Sequence, residues 1–275
     1  MSPQMPAIVL SYDSNHVFAE NTIRSYQSLL PEHHFNFFVP YQERRTFALN
    51  DVTWVASPSD IKGTVLALLN QFEDNQWVYW CMDDRYPKSL ISREFQQIER
   101  LLEEGLATEI GAILFAPRMF KTKAEWFNRI RLSSQTGQKL SLIPRTNWST
   151  IWMHQYIRAG VIRHLFSYMP DEIPVAVLMD SYLSRIPLPR TQVLYRTFFN
   201  RSVFGESSGG GKPTINFLED TGLNLEDLPA EIAQRGIGSR IIFSRGRRIG
   251  QKLKMSQRCG AFWRRISQAL WPSSR

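Results

Sequence analysis

The chain has 275 residues, 43% of them hydrophobic and 12% aromatic, with 33 Lys+Arg against 25 Asp+Glu and a formal charge of +8. That is a globular composition, long enough for one large α/β domain or a domain with an appendage, and the excess of cations favours a polyanionic partner: a nucleotide, nucleic acid or an anionic membrane. Two cysteines, Cys81 and Cys259, give no disulfide framework, and no stretch reads as a signal peptide or a membrane span, so a reduced, cytoplasmic setting is expected.

The first strand is Ala7-Ile-Val-Leu10, ending in Ser11-Tyr12-Asp13. Ser14 and Asn15 are capping types, and a helix with Ile23, Tyr26 and Leu30 on one face follows, closed by Pro31. Phe35 to Val39 and Val52 to Ala56 read as strands, the first stopped by Pro40. Pro58-Ser59-Asp60 starts a helix whose apolar positions, Ile61, Val65, Leu68, Leu69 and Phe72, keep helical spacing. Next comes Trp77-Val-Tyr-Trp-Cys-Met82, a continuous apolar run of the kind buried on both faces of a sheet, followed at once by Asp83-Asp84-Arg85-Tyr86-Pro87. Alternating strands and helices predict a mostly parallel sheet flanked by helices. Glu94 to Gly105 predicts a helix and Ala112 to Ala116 a strand.

Periodicity is poor from 117 to 150, apart from a short strand near Leu140 to Ile143. Ser149 to Tyr168 reads as one long helix, stopped by Pro170, and Gln192 to Phe199 as a strand. Ser207 to Pro213 is a glycine-rich loop; Gly209-Gly210-Gly211-Lys212 lacks the Gly-x4-Gly-Lys-Ser/Thr spacing of a phosphate loop, so Lys212 is read as part of a mobile lid or a plain linker. From Arg235 the chain turns basic, and Phe262, Trp263, Ile266 and Leu270 oppose Arg264 and Arg265 across a helical pattern suited to an anionic membrane surface. The expected organisation is a catalytic domain over 1–234, divided into halves 5–116 and 117–234, with a basic tail over 235–275.

Asp83 and Asp84 are the sharpest chemical signal. Two carboxylates at the carboxyl end of a buried strand face the ligand crevice of an open α/β sheet, where a hard divalent cation held by oxygen ligands can bridge a diphosphate. The competing reading is a solvated turn or a helix cap. Trp148, in an irregular polar stretch, is a candidate platform for a sugar face, whereas Trp152 is assigned to packing. The histidines do not cluster, and Cys81 is read as core.

Ser57 to Pro87, with its amphipathic helix, apolar strand and Asp-Asp-aromatic end, resembles the nucleotide-sugar half of GT-A glycosyltransferases, in particular bacterial enzymes with an Asp-Asp variant of the DxD motif. Ile8 to Asp13 is similar to the first strand of that fold, and Ser141 to Leu165 to its acceptor-side strand and helix. The likeness spans roughly residues 5 to 215 and is strongest over 57 to 90. It implies a GT-A-like (Rossmann-like) fold and transfer of a sugar, of hexosyl type, from a nucleotide diphosphate sugar to a saccharide or lipid-linked acceptor. Ser11, Tyr12 and Asp13 would surround nucleobase and ribose, with Asp60 and Lys62 near the nucleotide. Asp83 would face ribose or sugar, and Asp84 a Mn or Mg ion on the diphosphate. Arg85 departs from the motif, because a guanidinium itself neutralises phosphate and could supplement or replace the ion. Inverting transfer needs a general base, for which Asp180 leads Asp171 and Glu172. A sugar-phosphate nucleotidyltransferase ranks lower, since Ser11 to Phe18 has no glycine- and lysine-rich signature. A non-catalytic basic protein bound to membrane through 240–271, or less favoured to nucleic acid, is the remaining alternative; in the enzymatic reading the same tail places the protein at the inner membrane face.

Overall fold

The computed structural model describes residues 4–32, 35–103, 108–115, 128–133, 139–148, 151–171, 176–197, 202–206, 211–239 and 242–243. All belong to one compact unit, Met1–Arg245; the remaining Gly246–Arg275 lie outside the described residues, and with them most of the basic segment 240–271. No described helix is long and apolar enough to cross a membrane.

The chain opens with β1 (Met5–Leu10), a 3-10 turn (Asp13–Asn15) and α1 (His16–Leu29), then β2 (Phe35–Tyr41), β3 (Val52–Ala56), α2 (Ile61–Leu69) and β4 (Trp77–Met82). β5 (Pro87–Ser89), α3 (Ser92–Glu103), β6 (Ile110–Leu114), β7 (Ile130–Ser133), β8 (Lys139–Pro144) and β9 (Gln155–Arg158) follow. The last part holds α4 (Ala159–Ser167), α5 (Ala176–Leu183), β10 (Val193–Thr197), β11 (Val203–Gly205), α6 (Ile215–Thr221), α7 (Ala230–Ala233) and β12 (Ile242–Phe243). Nine strands form one sheet in the order β3-β2-β1-β4-β9-β6-β10-β8-β7, and β12-β11-β5 form a small second sheet.

The expected strand–helix alternation holds through β4. β1 pairs parallel with β2 and β4, and β2 with β3. Strands flanked by parallel neighbours are covered on both faces, which is why β1 and β4 read as unbroken apolar runs. Alternate residues divide between two cores. Ile8, Leu10, Val78, Trp80 and Met82 pack with α2 and α4, including Val65, Leu68, Val161 and Leu165. Ala7, Val9, Tyr79 and Cys81 pack with α1 and α3, including Ile23, Tyr26, Phe95 and Ile98. The architecture is thus an α/β sheet with helices on both faces.

The second half departs from expectation in two ways. Ser149 to Tyr168 is not one helix: β9 forms over 155–158 and the helix starts only at Ala159. β9 lies antiparallel between β4 and β6 and supplies the partner both edges need, so ladder hydrogen bonds override the helical spacing of Ile157 with Val161 and Leu165. Gly160 marks the strand-to-helix corner, where its N–H reaches Asp74 O at 2.9 Å and a Cβ would stand 2.9 Å from that oxygen. The sheet is also more mixed than predicted. β4–β9, β6–β9, β10–β8 and β7–β8 are antiparallel, and only β6–β10 adds to the parallel pairings. Because β9 comes from residues beyond 117 and sits between two strands from before it, the two predicted halves share one sheet.

Candidate functional site

β2 and β3 extend the sheet on one side of β1 while β4 flanks it on the other, so the strand order reverses between β1 and β4. That is where an open α/β sheet leaves a crevice beyond its carboxyl strand ends. Leu10 and Met82 are register partners, so Ser11 and Asp83 emerge side by side. Asp83 N–H donates to Leu10 O at 3.1 Å, and Ser11 Oγ donates to Asp83 Oδ2 at 2.8 Å. Thr22, buried on α1, donates through Oγ1 to Asp83 O at 2.8 Å. The acid pair is therefore anchored by both neighbouring elements, which disfavours a freely solvated turn.

Asp83 is 8% exposed and Asp84 half-buried. Burial first, and then the charge of Asp84, hold the Asp83 carboxyl above the usual range, against hydrogen bonds from Ser11 and Asn15. Burial also raises Asp84, and the Arg85 guanidinium opposes that rise. Arg85 Nη2 in turn lies 2.9 Å from Glu206 Oε1, with 21% and 9% of the two side chains exposed, and its Nη1 contacts Met153 Sδ. Burial pushes Glu206 up to about 7; Arg85 resists the shift and Asp84 adds to it.

Glu206 was not among the sequence candidates. It follows β11, whose Gly205 N–H donates to Tyr86 O at 2.8 Å, one residue beyond Arg85. Thr214 Oγ1 fixes the Glu206 carbonyl at 2.6 Å. Its signal in the sequence is a short apolar strand ending in an acid, Val203-Phe-Gly-Glu206, beside a more conspicuous run of glycines.

The other predicted residues are distributed around this cluster. The Tyr12 hydroxyl is raised by burial, then by the charges of Asp83 and Asp60. Asp60 caps α2 by accepting from Gly63 N–H at 2.7 Å. Asp13 is occupied by the N–H groups of Gln42, Glu43 and Arg44 at 2.7–3.0 Å, ties that hold the chain after β2 against the turn after β1. Although burial opposes it, those three bonds bring its carboxyl below the ordinary range. Lys62 pairs with exposed Asp171 at 2.7 Å, and Glu172 lies outside the described residues. Asp180 is exposed on α5 and accepts Trp152 Nε1–H at 2.6 Å. Lys212 is exposed beside Gly211, whose carbonyl accepts from Arg235; Arg235 also donates to Asn15 Oδ1 at 3.0 Å.

Two assignments need correction. Trp148 is not an open sugar platform: it is 0% exposed and donates Nε1–H to Ile186 O at 3.1 Å. The indole, unlike its exposed neighbours Thr146 and Asn147, turns inward under the carbonyls of Ile186 and Pro187 and packs in the core with α4. His154 does not lie on a helix, as the expected helix over Ser149 to Tyr168 would have it. It precedes β9, stacks on Phe204 at 4.4 Å, and bonds Tyr26 OH through Nδ1 at 2.7 Å. Burial, then the charge of Arg85, push it down to about 3, so it is a neutral core histidine.

The acids were also expected to hold Mn or Mg. Asp83, Asp84 and Glu206 bring three carboxyl groups to the one guanidinium of Arg85; burial raises all three, and a bound cation, which favours their ionised forms, would oppose that rise. Among the described residues no three acid, histidine or cysteine side chains form a ready-made metal cage. The arrangement fits an ion that takes one or two carboxylates and completes its shell with ligand phosphate and water, as Mg does. The described pocket, about 600 Å³, is separate: it lies between α1, β5 and α6, bounded by Asn21, Arg24, Lys88 and Asp220.

No family model and no curated protein sequence matches the chain. Among solved structures, it is similar to 2-C-methyl-D-erythritol 4-phosphate cytidylyltransferase from Thermus thermophilus at 10% identity and a TM-score of 0.38, covering 70% of this chain and 89% of that one. It is also similar to galactosyltransferase LgtC in complex with donor and acceptor sugar analogues, at 9% identity and a TM-score of 0.34, covering 67% of each. The bifunctional IspDF from Campylobacter jejuni aligns at 11% identity and a TM-score of 0.35 over 72% of this chain and half of that one. Superpositions this loose decide neither substrate nor reaction.

Proposed function

We propose that the protein is a glycosyltransferase that binds a nucleoside diphosphate sugar in the crevice above β1 and β4 and passes the sugar to a saccharide or lipid-linked acceptor. The observation that carries this reading is the Asp83-Asp84-Arg85 cluster, anchored by Ser11 and Thr22 at the point where strand order reverses. Ser11 and Tyr12 border the space for the nucleoside. Asp84, with a divalent cation that it and Asp83 would hold, and Arg85 face the diphosphate, whose departure as a leaving group is helped by positive charge at its oxygens. Asp13 and Asp60 shape the nucleoside side through the backbone groups they hold, and Lys62 lies on the same α2 turn as Asp60. Lys212 is a further cation for the phosphates, tied through Gly211 and Arg235 to Asn15 beside Asp83.

Acceptor activation needs a carboxylate within reach of the attacking hydroxyl. Asp180 is the better candidate, since Trp152, which orients it, packs on the same core as Tyr12. Asp171 is engaged with Lys62, a pairing that suits an exposed helix contact more than a base.

The test is thermal stabilisation by UDP, GDP and CDP, with and without Mn, followed by a hydrolysis or transfer assay with the matching sugar nucleotides. One diphosphate should raise the melting temperature, and Asp84→Ala should remove both that shift and turnover while the protein stays folded. A fully active Asp84→Ala enzyme sinks this assignment. Stabilisation by nucleoside triphosphate and sugar phosphate, with none by any diphosphate, would move the reading to nucleotidyl transfer.

A further inference from the structure

Glu206 sits on a scaffold that leaves it little freedom. Gly205 is locked to Tyr86 through the β5–β11 contact, and a Cβ at 205 would come within 2.7 Å of the Tyr86 ring. Thr214, fully buried, holds the Glu206 carbonyl with its hydroxyl, and the same hydroxyl accepts Phe217 N–H to cap α6. The carboxylate thus projects from fixed backbone onto a guanidinium 2.9 Å away. On its other side Arg85 meets Met153, itself buried between β6 and the start of β9. A long, rotamer-rich side chain is thus engaged at one terminal nitrogen by Glu206 and at the other by Met153, beside Asp84.

We infer that Glu206 is a positioning residue for diphosphate recognition: by fixing the Arg85 guanidinium beside Asp84, it pre-orders the cation that meets the phosphates. This rests on the reading of the crevice as a nucleoside diphosphate site. An unheld arginine has to be ordered when the ligand binds, at a cost of about 0.6–1.4 kcal/mol, or about three- to tenfold in affinity. The loss falls on the second phosphate, the one that distinguishes a diphosphate from a monophosphate, and leaves the nucleoside contacts as they were. A competing arrangement, in which Glu206 merely occupies Arg85 until phosphate displaces it, predicts the opposite sign.

The experiment uses the full chain and calorimetric dissociation constants for the nucleoside diphosphate that binds best and for its monophosphate. The quantity read is the ratio of the two. In Glu206→Gln the diphosphate advantage should shrink about three- to tenfold while monophosphate affinity changes less than about twofold; Glu206→Asp should recover part of the advantage. A role in folding alone would weaken both ligands together or neither, leaving the ratio at its wild-type value, and that overturns the inference. A ratio that grows overturns it in favour of competition. Should Glu206→Gln fail to fold, Glu206→Asp decides by the same ratio, and a wild-type value there is again a refutation. If wild-type protein binds no nucleoside diphosphate at all, the functional proposal falls and takes this one with it, an outcome distinct from normal wild-type binding with an unchanged variant ratio.

Discussion

Lowering the pH should destabilise this protein through His154. The imidazole is 1% exposed, bonded to Tyr26 OH and stacked on Phe204, with a folded value pushed from 6.5 down to about 3. Burial is the main cause and the nearby Arg85 charge the second. In the unfolded chain the ring takes a proton below about pH 6.5, whereas the folded protein refuses it until near pH 3. Between those limits the unfolded state binds more protons, so the contribution is fully present above pH 6.5 and is lost as pH falls toward 3. Each pH unit is worth about 1.4 kcal/mol, so the loss between pH 6.5 and 5 is about 2 kcal/mol. Other groups titrate in the same range. Asp83, Asp84 and Glu206 have raised values and act with the opposite sign, so wild-type stability alone does not isolate the histidine. His154→Gln keeps a hydrogen-bonding side chain at the position and removes the titration. Urea unfolding of both proteins at pH 7.5, 6 and 5 should show the stability gap moving about 2 kcal/mol in favour of the variant between pH 7.5 and 5. A gap that stays constant across this range would show that the ring is not held neutral, and the reasoning would fail with it.

Asp84→Asn should abolish sugar transfer yet raise the melting temperature at pH 8, because an acid raised by burial destabilises the fold once ionised; differential scanning fluorimetry beside a turnover assay reads both. Arg85→Ala should cost roughly 3 kcal/mol in chemical denaturation, since it leaves Glu206 and Asp84 buried without their cation, and adding Glu206→Gln should restore part of it. Trp148→Ala should cost about 3–5 kcal/mol of stability, measured by denaturant midpoint, whereas a sugar platform would instead lose acceptor affinity with stability intact.

The parts of the fold that could be read from the chain are those where one local pattern has one structural solution. β1 and β4 are continuous apolar runs because both faces are covered, and α2 begins where Asp60 caps it. The acids after β4 were legible for the same reason: a strand that must stay apolar ends where polarity begins, and in a parallel arrangement its end is the crevice. β9 was hidden because Gln155-Tyr-Ile-Arg158 continues smoothly into the helical spacing of α4, and only the unfilled edges of β4 and β6 make it a strand. Trp148 misled in a related way. Its polar neighbours imply exposure, but the carbonyl of Ile186, thirty-eight positions later, closes over the indole.

Glu206 is the most instructive case, because its meaning is produced entirely by a long-range contact. β5 and β11 are only three residues each and lie more than a hundred positions apart, too short for periodicity to reveal and too distant for spacing to connect. Their pairing brings a carboxylate to Arg85 and so changes how Asp83-Asp84-Arg85 works. Taken alone, the arginine could stand in for a metal ion, and the site would be close to charge balance. With Glu206 against it, the guanidinium is already matched by one carboxylate, so less of its charge is left to satisfy the two aspartates. On the proposed function, the third acid favours Arg85 as a supplement to a divalent ion at the diphosphate over a replacement for it. Manganese should accordingly strengthen diphosphate binding in the wild type, and lose that effect in Asp84→Ala but not in Glu206→Gln.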